Sequence, residues 1–184
     1  MLAIDTSSAR SALALVDGQR VVGEVVRPSG REFDVAAEVG RLVPDLSRLD
    51  SILVALGPGS FVGLRQGIAF GVGLALGLGL PLRSIGTLDL VAARAREPVV
   101  ALSEAGRGRV YYQAPDGARG IAAPEQVPAG WPAVGWLRTE EIELLPESRL
   151  RSFGEAVVAA REMELEVGYG TVKPEYMQPF GRLT

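Results

Sequence analysis

Apolar and polar positions along the first quarter of the chain fall into three short runs separated by turn residues. Leu2-Ala3-Ile4 runs into the polar turn Asp5-Thr6-Ser7-Ser8, and Ser11-Ala12-Leu13-Ala14-Leu15-Val16 is a run of small and branched residues. Asp17-Gly18 then gives a strong hairpin signal, Arg20 to Val26 returns with β-branched residues, and Pro28-Ser29-Gly30 ends the pattern. Beyond this meander the period changes. Phe33, Ala36, Ala37, Val39, Gly40 and Val43 recur at three- and four-residue spacings, which predicts an amphipathic helix stopped by Pro44. Ser51 to Leu56 is continuously apolar, the pattern of a strand covered on both faces. A glycine turn at 57–60 leads into a long helix from about Val62 to Gly79, followed by a strand at 82–85 and a helix at 87–96.

The order β-β-β-α-β-α-β-α over the first ~97 residues predicts a mixed sheet of three antiparallel strands followed by parallel ones, with helices between. That is the layout of the α/β ribonuclease-H-like fold shared by actin-like and sugar-kinase-like (ASKHA) proteins. Glu97-Pro98 marks an expected boundary between a lobe at 1–97 and a shorter lobe at 98–184. The second lobe opens with the apolar strand Val99 to Leu102 and continues with a strand at 109–114. A Pro-rich loop follows at 123–135, then a short helix near 154–160 and a polar tail from Lys173 to Thr184.

Composition narrows the chemistry. The 184 residues are 47% apolar and 22% charged, which suits a chain with a substantial core rather than a disordered one. The 19 basic and 22 acidic residues leave a net charge of −3, against a free-standing nucleic-acid binder. There is no cysteine and no histidine, so thiolate or imidazole metal sites, a Cys nucleophile and a Ser-His-Asp triad are all excluded. No secretory signal is expected where Asp5 follows Met1 so closely, and Gly67 to Leu82, uncharged but rich in Gly, is shorter than a typical membrane span. A buried helix, no membrane association and a cytoplasmic location are the expectations.

Three segments carry candidate chemistry. Asp5 and Thr6 sit where a strand turns into a hairpin; such a turn offers hydroxyls and N–H groups to phosphate and a carboxylate to Mg²⁺, or simply caps itself. Gly57, Gly59 and Ser60 join a buried strand to a helix N-terminus, as a phosphate loop or as a structural turn. The long helix is marked by Gly63, Gly67, Gly71, Ala75 and Gly79 at four-residue intervals, beside a second small row at Ala69, Gly73 and Gly77. Each interior Gly costs a helix about 1 kcal/mol relative to Ala, so close approach of another backbone is the expected compensation. With Leu64, Ile68, Val72 and Leu76 available for the internal core, a helix of another chain is the favoured partner for the stripe Gly63, Gly67, Gly71 and Ala75, with Phe33 and Ala37 beside it.

Leu2 to Ser7, the run Gly57-Pro58-Gly59-Ser60-Phe61-Val62-Gly63-Leu64-Arg65-Gln66-Gly67, and Gly86-Thr87-Leu88 resemble the TsaB (YeaZ) family. Glu104 to Tyr112 and Lys173 to Met177 extend the likeness over nearly the whole chain. The resemblance implies a non-catalytic accessory subunit for the threonylcarbamoyl modification of tRNA adenosine. Such a subunit pairs with the catalytic TsaD through N-lobe helices and supports docking of the ATPase TsaE. It implies a homodimer when alone, tRNA only through the complex, and no tightly bound cofactor, with ATP or ADP at most at a subunit junction. TsaD holds its metal through two histidines on a helix, and both families have been filed as glycoproteases; with no histidine, this chain does not match the metal-bearing design. Val62 stands where the family usually has Thr, Glu104 where it has Asp, and Met177-Gln178 where it has Leu-Arg. The helix at 32–43 also lacks a His that many relatives carry, and the C-terminal half is shorter. The alternative expectation is a small ATP-dependent phosphotransferase built on Asp5 and the 57–60 loop.

Overall fold

A computed structural model describes residues 1–175. The hairpin signal at Asp17-Gly18 is realised: strands β2 (Arg10–Asp17) and β3 (Arg20–Pro28) pair antiparallel around a two-residue loop in which Gly18 takes φ +59°. Strand β1 (Leu2–Asp5) pairs antiparallel with β2 and parallel with β4 (Ile52–Ala55), and β4 pairs parallel with β5 (Leu82–Ile85). Alternation along these strands sends Leu2, Ile4, Ile52, Val54 and Leu82 to one face and Ala3, Leu53, Ala55 and Ile85 to the other.

The first face is covered by helices α1 (Val35–Leu42) and α2 (Phe61–Leu78). The Asp34 carboxylate accepts the N–H groups of Ala36 and Ala37 at 3.0 and 3.1 Å, which fixes where α1 begins. Ser60 Oγ accepts the Gly63 N–H at 3.4 Å, and Gly79 at φ +66° ends α2 in the left-handed conformation. Helix α2 is long and apolar enough, by length and composition alone, to cross a membrane, yet Leu64, Gly67, Ile68, Gly71 and Ala75 are buried against the chain's own sheet.

The second face is covered by α3 (Thr87–Ala93) and α4 (Phe153–Ala159), the latter started by a capping box between Ser152 and Glu155. Helix α3 also packs on the second sheet, order β8-β7-β6-β9, through Leu88 and Val91 against Ala101, Tyr111 and Val134. That sheet comprises β6 (Val100–Gly106), β7 (Arg109–Gln113), β8 (Arg119–Ala122) and β9 (Ala133–Gly135). The stretch expected to be mostly loop therefore ends in a parallel partner of β6.

The division at Glu97 needs correcting. Helix α4 packs on β2 and β3, and strand β10 (Leu165–Val167) pairs antiparallel with β5, completing a six-stranded sheet of order β10-β5-β4-β1-β2-β3. The last part of the chain thus returns to the first lobe, because β5 and the outer faces of β2 and β3 need a cover that residues 1–97 do not supply.

Candidate functional site

The parallel strands β1, β4 and β5 point their carboxyl ends at the junction between the two sheets, the place where open α/β sheets take ligands. Asp5, Thr6, Gly57, Gly59 and Ser60 do converge there, as expected for a phosphate cradle. Their polar groups, however, bind Ser7, Gly63 and Thr87 of the same chain. Ser60 N–H donates to Ser7 O at 2.7 Å, and Thr6 Oγ1 donates to Gly63 O at 2.6 Å. Gly57 N–H donates to Thr87 Oγ1 at 3.1 Å while Thr87 N–H donates to Gly57 O at 2.7 Å; Ser7 and Thr87 hydroxyls lie 3.0 Å apart. A Cβ at Gly59 would stand 2.8 Å from Ser7 Cβ and overlap Ser7 O, so this glycine serves contact between two turns of the same chain.

Asp5, Thr6 and Ser7 are buried, and Asp5 accepts Ser7 N–H at 2.8 Å. Burial raises the Asp5 pKa from its ordinary 3.8, and the hydrogen bonds from Ser7 offset that in part. Asp5, Thr6, Gly57 and Gly59 thus form an internal clasp with Ser7, Gly63 and Thr87. Ser60 alone of the set is exposed, and its hydroxyl caps α2.

The glycine stripe needs the larger correction. A Cβ added at Gly63 would overlap Thr6 O, one at Gly67 would overlap Thr6 Oγ1, and one at Gly71 would overlap Val54 Cγ1. Ala75 is fully buried in the same apolar layer. Gly63, Gly67, Gly71 and Ala75 thus let α2 lie close on β1 and β4; the second backbone that the stripe admits is the chain's own sheet. Phe33 is likewise buried in the layer beneath α1, with Gln66 Nε2 donating to its carbonyl at 3.4 Å, and Ala37 is half-buried. Of the large residues expected in the core, Leu64 and Ile68 are buried, whereas Leu76 is 61% exposed.

The opposite flank of α2 is what the molecule leaves open. Val62, at 72% exposure, Ala69, Gly73 and Leu76 follow one another at helical spacings of seven, four and three and are all exposed. Nothing lies within 4 Å of the Cβ positions of Gly73 or Gly77. Polar atoms on this flank come from Arg65, whose guanidinium stacks over the Phe61 ring at 3.8 Å, and from Gln66. The second small row in the sequence carried the signal for this flank.

Of two further junctions, the first was not foreseen and the second falls in the Glu104 to Tyr112 stretch that the sequence singled out. Arg94, at 3% exposure, stacks on Trp136 at 4.3 Å and pairs with Glu147, whose other oxygen accepts the Trp136 indole N–H at 3.1 Å. Glu104 and Arg109 flank the β6–β7 turn, where Arg107 takes φ +54° between two left-handed glycines, and Glu104 pairs with Arg138 at 3.2 Å. Among the described residues no three Asp or Glu side chains are grouped to hold a metal ion. Lys173 is described; Met177-Gln178 lie outside the described residues.

Fold and site together define a protein of the actin-like, ribonuclease-H-like α/β class whose interlobe turns are clasped on each other and whose longest helix shows one apolar flank. A family model described as TsaD, tRNA N6-adenosine threonylcarbamoyltransferase, matches residues 43–126. The chain is 32% identical over 138 residues to the tRNA threonylcarbamoyladenosine biosynthesis protein TsaB of Bacillus subtilis, covering 68% of this chain and 60% of that protein. It is 31% identical over 127 residues to the protein of the same name from Haemophilus influenzae, covering 61% of this chain and 52% of that one. The solved structure of YeaZ from Pseudomonas aeruginosa superposes with a TM-score of 0.74 at 25% identity, over 95% of this chain and 98% of that one. These likenesses support a TsaB/YeaZ assignment, and the aligned part of the chain spans little more than half the length of these two curated relatives.

Proposed function

We propose that this chain is a non-catalytic accessory subunit in the biosynthesis of tRNA N6-threonylcarbamoyladenosine, docking on a TsaD-like catalytic subunit through the outward flank of α2. Carrying the reading is one observation: a largely apolar helix buries one flank on its own sheet and leaves Val62, Ala69, Gly73 and Leu76 in water. Supporting it are the likeness to TsaB and YeaZ and the interlobe turns, several of whose hydroxyls and N–H groups bond within the chain. In this reading the small outward residues let a partner helix approach closely. The same flank pairs two copies when the partner is missing, a TsaE-like ATPase joins the assembled complex, and tRNA and any ATP or ADP are held only there, in the cytoplasm.

The test is gel filtration of the purified chain with a TsaD-like protein. A shift to a larger species is expected, lost in Leu76→Glu and Gly73→Glu and kept in Arg20→Glu at the far end of the sheet. No larger species with the wild-type chain would overturn the reading. ATP turnover by the chain alone, abolished by Asp5→Ala, would favour a phosphotransferase instead.

A further inference from the structure

After β10 the chain does not leave the molecule. A turn at Gly168 to Thr171, closed by Thr171 N–H donating to Gly168 O at 3.0 Å, brings Tyr169 Oη to the carbonyl of Leu80 just past the end of α2. Tyr169 and Val172 pack against the apolar layer under α2. The stretch after them runs to the other end of that helix, where Glu175 N–H donates to Leu56 O at 2.6 Å. Glu175 O lies 2.8 Å from the Cβ position of Gly57, a residue at φ +110°, so that glycine leaves room for the incoming carbonyl. The Glu175 carboxylate pairs at 3.2 Å with Arg119 of β8, in the other sheet. Residues 168–175 thus lie along α2 and end at the carboxyl end of β4.

We propose that residues 168–175 are a strap that closes over the carboxyl end of β4 in the free chain and opens locally, with Arg119–Glu175 as its catch. The strap covers the last carbonyl beyond β4, the Gly57 backbone and an apolar flank of α2, so anything that binds the Leu56 carbonyl must first displace Glu175. Its attachment is suited to release. Both side chains of the catch are 42% exposed, in the range where an ion pair contributes little and is screened by salt. Few backbone hydrogen bonds hold the segment, whereas β4 is paired on both sides.

Amide hydrogen exchange on the full chain, read by NMR at low salt, tests the strap. The Val172 and Glu175 amides are expected to exchange at least about tenfold faster than those of Leu53 and Val54 in β4, as local opening requires. Arg119→Gln should speed Glu175 exchange a further two- to five-fold, roughly what losing an exposed ion pair gives, and leave Leu53 and Val54 unchanged. Arg149→Gln, which breaks the exposed Arg149–Glu97 pair elsewhere, should not alter Glu175. Equal rates in strap and strand, or a wild-type rate at Glu175 in Arg119→Gln, would overturn the proposal.

Discussion

Replacing α2 glycines by alanine one at a time separates the two flanks of the helix by sign. Every Gly→Ala change in a helix interior adds about 1 kcal/mol of propensity, whichever way the residue faces. At Gly73 nothing else changes, because no atom lies within 4 Å of the new methyl, so Gly73→Ala is expected to stabilise the chain by up to that amount. At Gly71 the methyl would overlap Val54 Cγ1 and stand 3.5 Å from both Ile4 Cδ1 and Ile52 Cγ2, in a layer where those side chains are at most 2% exposed. Overpacking of this kind costs about 1–3 kcal/mol. The propensity gain is common to both variants and cancels in their difference, which leaves the packing cost: Gly71→Ala should be less stable than Gly73→Ala by about 1–3 kcal/mol. For a chain of this length that is about 2–12 °C in Tm. Urea titration followed by circular dichroism gives both midpoints at a common slope. Equal stability of the two variants would refute the packing of the Gly63–Ala75 stripe on the chain's own sheet.

Asp5→Asn tests the buried carboxyl. Because the folded pKa is raised above 3.8, the folded state binds the proton more tightly than the unfolded one. The Asp5 contribution is then fully present below the unfolded pKa and declines as pH rises through the folded value. The Asn variant keeps an acceptor for Ser7 N–H and should gain Tm over wild type at pH 7.5, with the gain shrinking by pH 4; a pH-independent difference would contradict this. Asp50 is shifted the opposite way, chiefly by the hydrogen bond from Ser51, so Asp50→Asn should lose stability near neutrality and converge with wild type on acidification. Arg94→Met removes a buried cation from Trp136 and Glu147. Since Glu147 is 57% exposed and stays solvated, urea unfolding should show a loss below the roughly 3–5 kcal/mol typical of breaking a fully buried pair.

Much of the first lobe was legible in the sequence because its signals are local. Asp17-Gly18 set the hairpin, the apolar run at 51–56 gave a strand buried on both faces, and Ser60 and Gly79 bounded α2. Strand β10 was not legible: three residues, Leu165 67% exposed, owe their pairing to β5 some eighty positions away. Nor were the contacts of Glu175 with the backbone of Leu56 and Gly57 and with the Arg119 side chain, because they join positions far apart in the sequence.

What the sequence determined by itself was that another backbone must come close to α2 and that this chain lacks the side chains for His- or Cys-based chemistry. Which backbone it was, only the tertiary structure decided. A helix with Arg65 as its sole charge and small residues on two rows has no polar face to mark inside from outside, so periodicity alone is symmetric between the flanks. Packing broke the symmetry, placing Gly63, Gly67 and Gly71 on β1 and β4 and turning Ala69, Gly73 and Leu76 to the solvent.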